Sequence, residues 1–352
     1  MPREHNSKVE TSLRNITYKC ERASLSKQEE VLIIKTRLTE RLGIEHPVIQ
    51  APMAIAAGGQ LAAAVSSAGG LGMIGGGYGN EDWLAEQLDA AGSQRVGCGL
   101  ITWSLAEKPH LLPLVLERNP SAMFLSFGDP APFVAIVKEA NVPVICQIQT
   151  LKDAIHAIEV GADIIVAQGT EAGGHGEKRA TFTLVPEVAD YIAAKSPEVL
   201  LCAAGGIGDG RGLAAALMLG ADGVVIGSRF WATQEAMVHP NMHRAALEAT
   251  GDQTIRSSVM DIARELNWPS RYTAHVLQNE FTDRWDDDNE GLIKQIASES
   301  ARWTSAWAAG DTNVANTFVG EVVGMVNSIE PAGALLHDIV SQAEKLLQTN
   351  FT

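Results

Sequence analysis

Between Val48 and Ile226 a short, continuously apolar run is followed, again and again, by an amphipathic segment of helical period. The runs are Val48–Ala51, Gly70–Ile74, Arg95–Ile101, Ala122–Phe127, Val142–Gln147, Ile164–Ala167, Val199–Ala203 and Gly223–Ile226. Helical candidates lie between and after them at Gln60–Ala68, Glu81–Ala91, Lys108–Arg118, Pro132–Glu139, Leu151–Val160, Leu184–Ala194 and Gly212–Leu219. Strands apolar on both faces belong in a sheet covered on both sides. Alternating β and α units predict a parallel sheet with right-handed crossovers. Eight such units close into an α/β fold, the (β/α)8 TIM barrel, whose chemistry sits in the loops at the C-terminal ends of the strands.

The flanking segments read differently. Residues 1–30 are polar and mixed in charge, which predicts a flexible N-terminal tail ahead of a barrel over 31–230. After Phe230 the alternation stops. Residues 231–325 carry Trp231, Trp268, Trp285, Trp303 and Trp307 with helical periodicity, and 231–330 holds 15 acidic against 7 basic residues, a net of −8. This predicts a helical subdomain inserted after the eighth strand. Within 326–352, Pro331–Leu347 is amphipathic and is expected to pack back on the barrel as a helix.

Charge and cysteine usage remove several function classes. Lys and Arg number 27 against 42 Asp and Glu, a net of −15, without a dense basic run, which argues against nucleic acid. No apolar stretch approaches the ~20 residues of a membrane-spanning helix. The first 30 residues also lack a signal-peptide core, so a cytoplasmic location is expected and no membrane contact. Cys20, Cys98, Cys146 and Cys202 lie far apart, so no disulfide framework and no metal site is expected. Cys98, Cys146 and Cys202 fall on odd-numbered strands, which would place them in one inward layer as small core residues.

The 33 glycines cluster behind the apolar runs, where ligand-binding loops belong. Gln50-Ala51-Pro52-Met53 follows the first strand, with small neighbours that let a flat ligand approach. Ala204-Gly205-Gly206-Ile207-Gly208-Asp209-Gly210-Arg211 follows the seventh, and Gly227-Ser228-Arg229-Phe230 the eighth. Loops after strands seven and eight commonly build a barrel's phosphate site, because bare backbone N–H groups at glycine receive an anion. Gln168-Gly169-Thr170-Glu171-Ala172-Gly173-Gly174-His175-Gly176 places a histidine between glycines at a strand end, where it can accept a proton near neutral pH. Glu171 either orients that histidine or is solvated. Gln147 ends the fifth strand, where its amide can meet the polar edge of a ring.

Taken together, Gln50–Met53, Ala167–Gly176, Ala204–Arg211 and Gly227–Phe230, with Gly69-Gly70-Leu71-Gly72, make the chain resemble the nitronate monooxygenases, formerly called 2-nitropropane dioxygenases. The resemblance runs from about Leu38 to Leu347. It implies an FMN-binding barrel with a helical substrate domain after the eighth strand. The FMN phosphate would sit at Gly205, Gly206, Gly227 and Ser228. The ring system would meet Ala51, Pro52, Met53, Gln147 and Gln168, with Gly173 and Gly174 beneath it, and His175 would be the catalytic base. The implied reaction oxidises a nitronate or nitroalkane with O2 to a carbonyl compound and nitrite. An enoyl-acyl-carrier-protein reductase or NAD(P)H:quinone reductase on the same scaffold is the alternative, and a homodimer is left open. Two positions depart from the family pattern: Gly99 stands where many members have Asn, and Gly320-Glu321 replaces Gly-Gln. The carboxylate of Glu321 either alters substrate charge preference or faces solvent.

Overall fold

A computed structural model describes residues 33–348, so the expected tail at 1–30, with Cys20, lies outside the described residues. The strands are β1 (Val48–Gln50), β2 (Met73–Gly75), β3 (Gly97–Ile101), β4 (Met123–Ser126), β5 (Val144–Ile148), β6 (Ile164–Gln168), β7 (Gly174–Gly176), β8 (Leu200–Ala204), β9 (Gly223–Ile226), β10 (Thr254–Ser257) and β11 (Thr273–Leu277). Eight of them form one parallel sheet in the order β1-β9-β8-β6-β5-β4-β3-β2. A parallel bridge between Ile49 and Leu71, with Gln50 N donating to Leu71 O at 2.9 Å, joins the first strand to the second and closes the barrel. The expected (β/α)8 fold is present, its eighth barrel strand being β9.

Two apolar layers hold the barrel. Ile49, Met73, Phe124, Ile145, Val166, Cys202 and Val225 point inward, and the helix Arg37–Leu42 plugs the N-terminal mouth with Leu38 and Leu42. Arg37 fastens that plug, donating from two guanidinium nitrogens to Asp222 at 2.8 Å each. The second layer lies between the strands and the surrounding helices. Cys98 and Cys146 belong to it, whereas Cys202 is inside the barrel, so the expected single inward layer of cysteines does not exist. Side chains alternate along each strand, and facing follows the register between neighbours rather than whether a strand is odd or even. All three thiols are buried and unpaired, and burial pushes those of Cys98 and Cys146 up to about 12, which leaves them inert.

The segment after β9 is helical as expected, with Pro240–Glu248, Val259–Ala263, Glu280–Trp285, Asn289–Lys294 and Ile296–Ala309 packed around Trp231, Trp285 and Trp303. It also contributes β10 and β11, which pair antiparallel and then with β7 as a small second sheet. The C-terminal helix Ala332–Gln348 returns to the barrel and buries Leu335, Leu336, Ile339, Val340 and Ala343. Among the described residues, no helix is long and apolar enough to cross a membrane and no cluster of His, Cys, Asp or Glu could hold a metal ion.

Candidate active site

The loops at the C-terminal ends of the strands and the inserted segment enclose a cavity of about 430 Å³. Its lining includes all twelve expected site residues: Ala51, Pro52, Met53, Gln147, Gln168, Gly173, Gly174, His175, Gly205, Gly206, Gly227 and Ser228. Residues from five different strand ends meet there because each follows its strand at the same end of the barrel.

One side of the cavity is backbone. Gly205 and Gly206 adopt φ of +103° and +71°, a region open to glycine but strained for other residues. Gly205 N–H points along the ladder towards Val225, while the N–H of Gly206 finds no acceptor among the described residues. The Ser228 hydroxyl oxygen accepts from Gly320 N at 3.0 Å, leaving its own proton to donate. Across from these loops, Ala51–Met53 leans over the ends of β2 and β3. It can do so because Gly99 has no side chain: a Cβ there would lie 2.3 Å from Pro52 Cβ. An asparagine side chain at this position would not fit beside this proline.

His175 sits on β7, the Gly-His-Gly strand, paired with Ala274 of β11. The expected glycine-rich loop is thus partly an edge strand clamped by the insertion. Gln168 holds the same strand, donating from Nε2 to His175 O at 3.0 Å while its Oε1 accepts from Gln147 at 3.0 Å and Gln149 at 2.7 Å. Arg256 adds a second brace, donating to Thr170 O at 3.1 Å and Ala172 O at 3.4 Å. Burial lowers that guanidinium to about 10, still protonated at neutral pH.

The imidazole is 8% exposed and lies flat on Trp268, with ring centroids 3.4 Å apart and planes 6° from parallel. Its Nε2 is 2.8 Å from Oδ2 of Asp261, which is itself 3% exposed on the helix Val259–Ala263. A carboxylate accepts only, so Nε2 carries the proton and Nδ1 keeps the lone pair. Burial lowers the His175 pKa from its usual 6.5, against the raising effects of the Asp261 hydrogen bond and charge. The ring is therefore neutral at pH 7. Phe127, at φ +62°, lines the cavity and packs T-shaped against Trp268 and Tyr272.

Glu171 does not orient the histidine. Its carboxylate accepts from Thr181 N and Oγ1 at 3.0 and 2.8 Å, covering the start of the helix Thr181–Lys195. Glu321 is exposed and outside the cavity lining. Asp261 and Trp268 lie far downstream of His175, and no local pattern in the sequence links them. The concentration of tryptophan in the inserted segment was the available signal.

The sequence pattern of the nitronate monooxygenase family matches residues 35–93 and 107–342. A nitronate monooxygenase of Neurospora crassa is 31% identical over 345 residues, covering 86% of this chain and 90% of that protein. One from Metarhizium robertsii is 33% identical, covering 85% and 91%. The solved structure of FabK from Thermotoga maritima superimposes with a TM-score of 0.79 at 29% identity, covering 90% of this chain and 98% of that one. With a buried histidine and glycine-rich loops lining one cavity at the strand ends of a (β/α)8 barrel, the chain belongs to the nitronate monooxygenase family and is a flavin-dependent oxidoreductase.

Proposed function

We propose that this chain uses FMN to oxidise nitronates and nitroalkanes with O2, releasing a carbonyl compound and nitrite. The observation that carries this proposal is a buried, neutral His175, stacked on Trp268 and bonded to Asp261, facing the same cavity as the glycine loops. The residues present fit the mononucleotide. The unspent N–H of Gly206, with Gly205, Gly227 and the Ser228 hydroxyl, would hold the phosphate. Gly173 leaves room there, since a Cβ on it would meet Ser228 Oγ at 2.6 Å. Gln147 would bond the polar ring edge, while Ala51, Pro52, Met53, Gln168 and Gly174 would bound the ring. A bound flavin supplies the electron transfer from substrate to dioxygen.

The protein's own part is proton handling and shielding. A neutral nitroalkane must lose its α-proton, and the lone pair on Nδ1 of His175 takes it. Asp261 then faces an imidazolium and stabilises its charge through the existing 2.8 Å hydrogen bond. A preformed nitronate has already lost that proton and needs only to be held. Phe127 and Trp268, which line the cavity beside His175, keep water from the developing carbanion. A cytoplasmic setting is supported by three buried, unpaired cysteines.

The position of Gly99 yields a separate expectation. Gly99→Asn would force Pro52 aside, and the displaced Ala51–Met53 wall weakens FMN binding about tenfold, in line with the usual cost of overpacking. Flavin fluorescence released on dilution measures this, and an unchanged dissociation constant would show that Ala51–Met53 does not bound the flavin. The activity itself is tested by assaying nitrite, carbonyl product and oxygen uptake with an alkyl nitronate. Nitrite equal to carbonyl product is expected. Absence of nitrite with rapid NAD(P)H oxidation would overturn the proposal in favour of a reductase.

A further inference from the structure

Arg264 lines the same cavity as His175, with its side chain 16% exposed. Its guanidinium carbon lies 5.0 Å from the ring centroid of Tyr78, 5.6 Å from that of Trp303 and 5.7 Å from that of Phe318. Aromatic faces hold a cation in place without consuming its N–H groups. A guanidinium has five of these. The structure gives Arg264 one long hydrogen bond, to Tyr78 Oη at 3.4 Å, and a 3.8 Å approach to Asp261 Oδ1 that exceeds hydrogen-bond length. That Oδ1 has no hydrogen-bond partner among the described residues, while Oδ2 is committed to His175. Asp261 thus offsets the charge of Arg264 and leaves its donors idle.

Other enclosed arginines of this chain behave differently. Arg256 donates to carbonyls of Thr170, Ala172 and Thr273, and Arg229 to Glu330, Ala232 and Ser328. Enclosing a cation with unspent donors is costly unless a partner arrives. The cavity is where a partner can arrive.

We propose that Arg264 is the anion anchor of the active cavity, receiving a planar two-oxygen anion of the substrate, namely the nitronate group itself. The N–H fork of arginine matches two oxygens on one trigonal atom, as in a carboxylate. Trp303, Trp307 and Phe318 line the adjoining wall and suit an apolar or aromatic substituent. The identity of the anion as a nitronate rests on the activity proposed above, but the anion site does not.

Calorimetric titration of the flavin-loaded protein with benzoate and with benzamide separates charge from shape, since the two are planar and similar in size. Wild type is expected to bind benzoate at least about tenfold more tightly, as befits charge-assisted hydrogen bonds. Arg264→Gln should lose that preference at unchanged melting temperature and flavin content, with Arg264→Lys intermediate. The same preference in wild type and Arg264→Gln would overturn the anchor, as would loss of flavin from the variant, which would assign the guanidinium to the cofactor. In turnover, Arg264→Gln should raise KM for an alkyl nitronate about tenfold and leave KM for the neutral nitroalkane unchanged. Equal KM effects on both would overturn the nitronate assignment. Benzoate preference in a protein that releases no nitrite would support the anion anchor and overturn the activity separately.

Discussion

Replacing His175 by alanine lowers kcat/KM for a neutral nitroalkane by about 10²–10⁴-fold, the usual contribution of a positioned general base, and spares oxidation of the preformed nitronate. The asymmetry follows from proton bookkeeping, because only the neutral substrate has a proton to give up. Burial keeps the imidazole neutral by lowering its pKa below 6.5. The acid limb of the nitroalkane profile should therefore fall below pH 6.5, with full base activity above it. Flavin content should be unchanged, since the fitted phosphate and ring contacts come from other residues. Equal losses on nitroalkane and nitronate would mean that His175 holds substrate rather than taking its proton.

Asp261→Asn is expected to cost about 10²-fold on the nitroalkane, again sparing the nitronate, by the same general-base reasoning. Two effects of the carboxylate disappear together. An amide can donate to Nε2, which moves the ring proton to Nδ1 and blocks the base. Both the hydrogen bond and the charge of Asp261 raise the His175 pKa, so removing them moves the acid limb to lower pH. A profile that keeps its limb while activity falls would indicate a packing defect, not loss of a positioning group. Asp261→Glu, which keeps the charge, should recover part of the lost rate.

The barrel was legible because its strands are buried on both faces and so read as unbroken apolar runs. Gly223–Ile226 is found at the same limits in sequence and structure. The second run shifts later, to Met73–Gly75, because Leu71 makes only the single bridge that closes the barrel. The helix Thr102–Glu107 was missed, since the predicted strand stops at Ile101 and a six-residue helix is too short to show a helical period before the segment from Lys108. The second sheet was illegible for a different reason. Gly-His-Gly carries no strand pattern, and Thr254–Ser257 has one apolar residue, Ile255, so their pairing depends on tertiary contacts.

The site divided along the same line. Glycine loops and His175 announce themselves locally, because small residues flank one chemically distinct group. Asp261 and Trp268 announce nothing, since a carboxylate in an acidic segment and one tryptophan among several look ordinary until the fold brings them to the imidazole. Glu171 shows the converse: proximity in sequence left it open as a partner for His175 or a solvated group, while the fold uses that carboxylate to cover a helix start.

The most direct test of the central claim is the visible absorption spectrum of the purified protein, recorded before and after anaerobic addition of an alkyl nitronate. A flavin spectrum that bleaches with nitronate is predicted. A colourless protein unable to take up FMN, or a flavin that NAD(P)H reduces while nitronate leaves it unchanged, would contradict it.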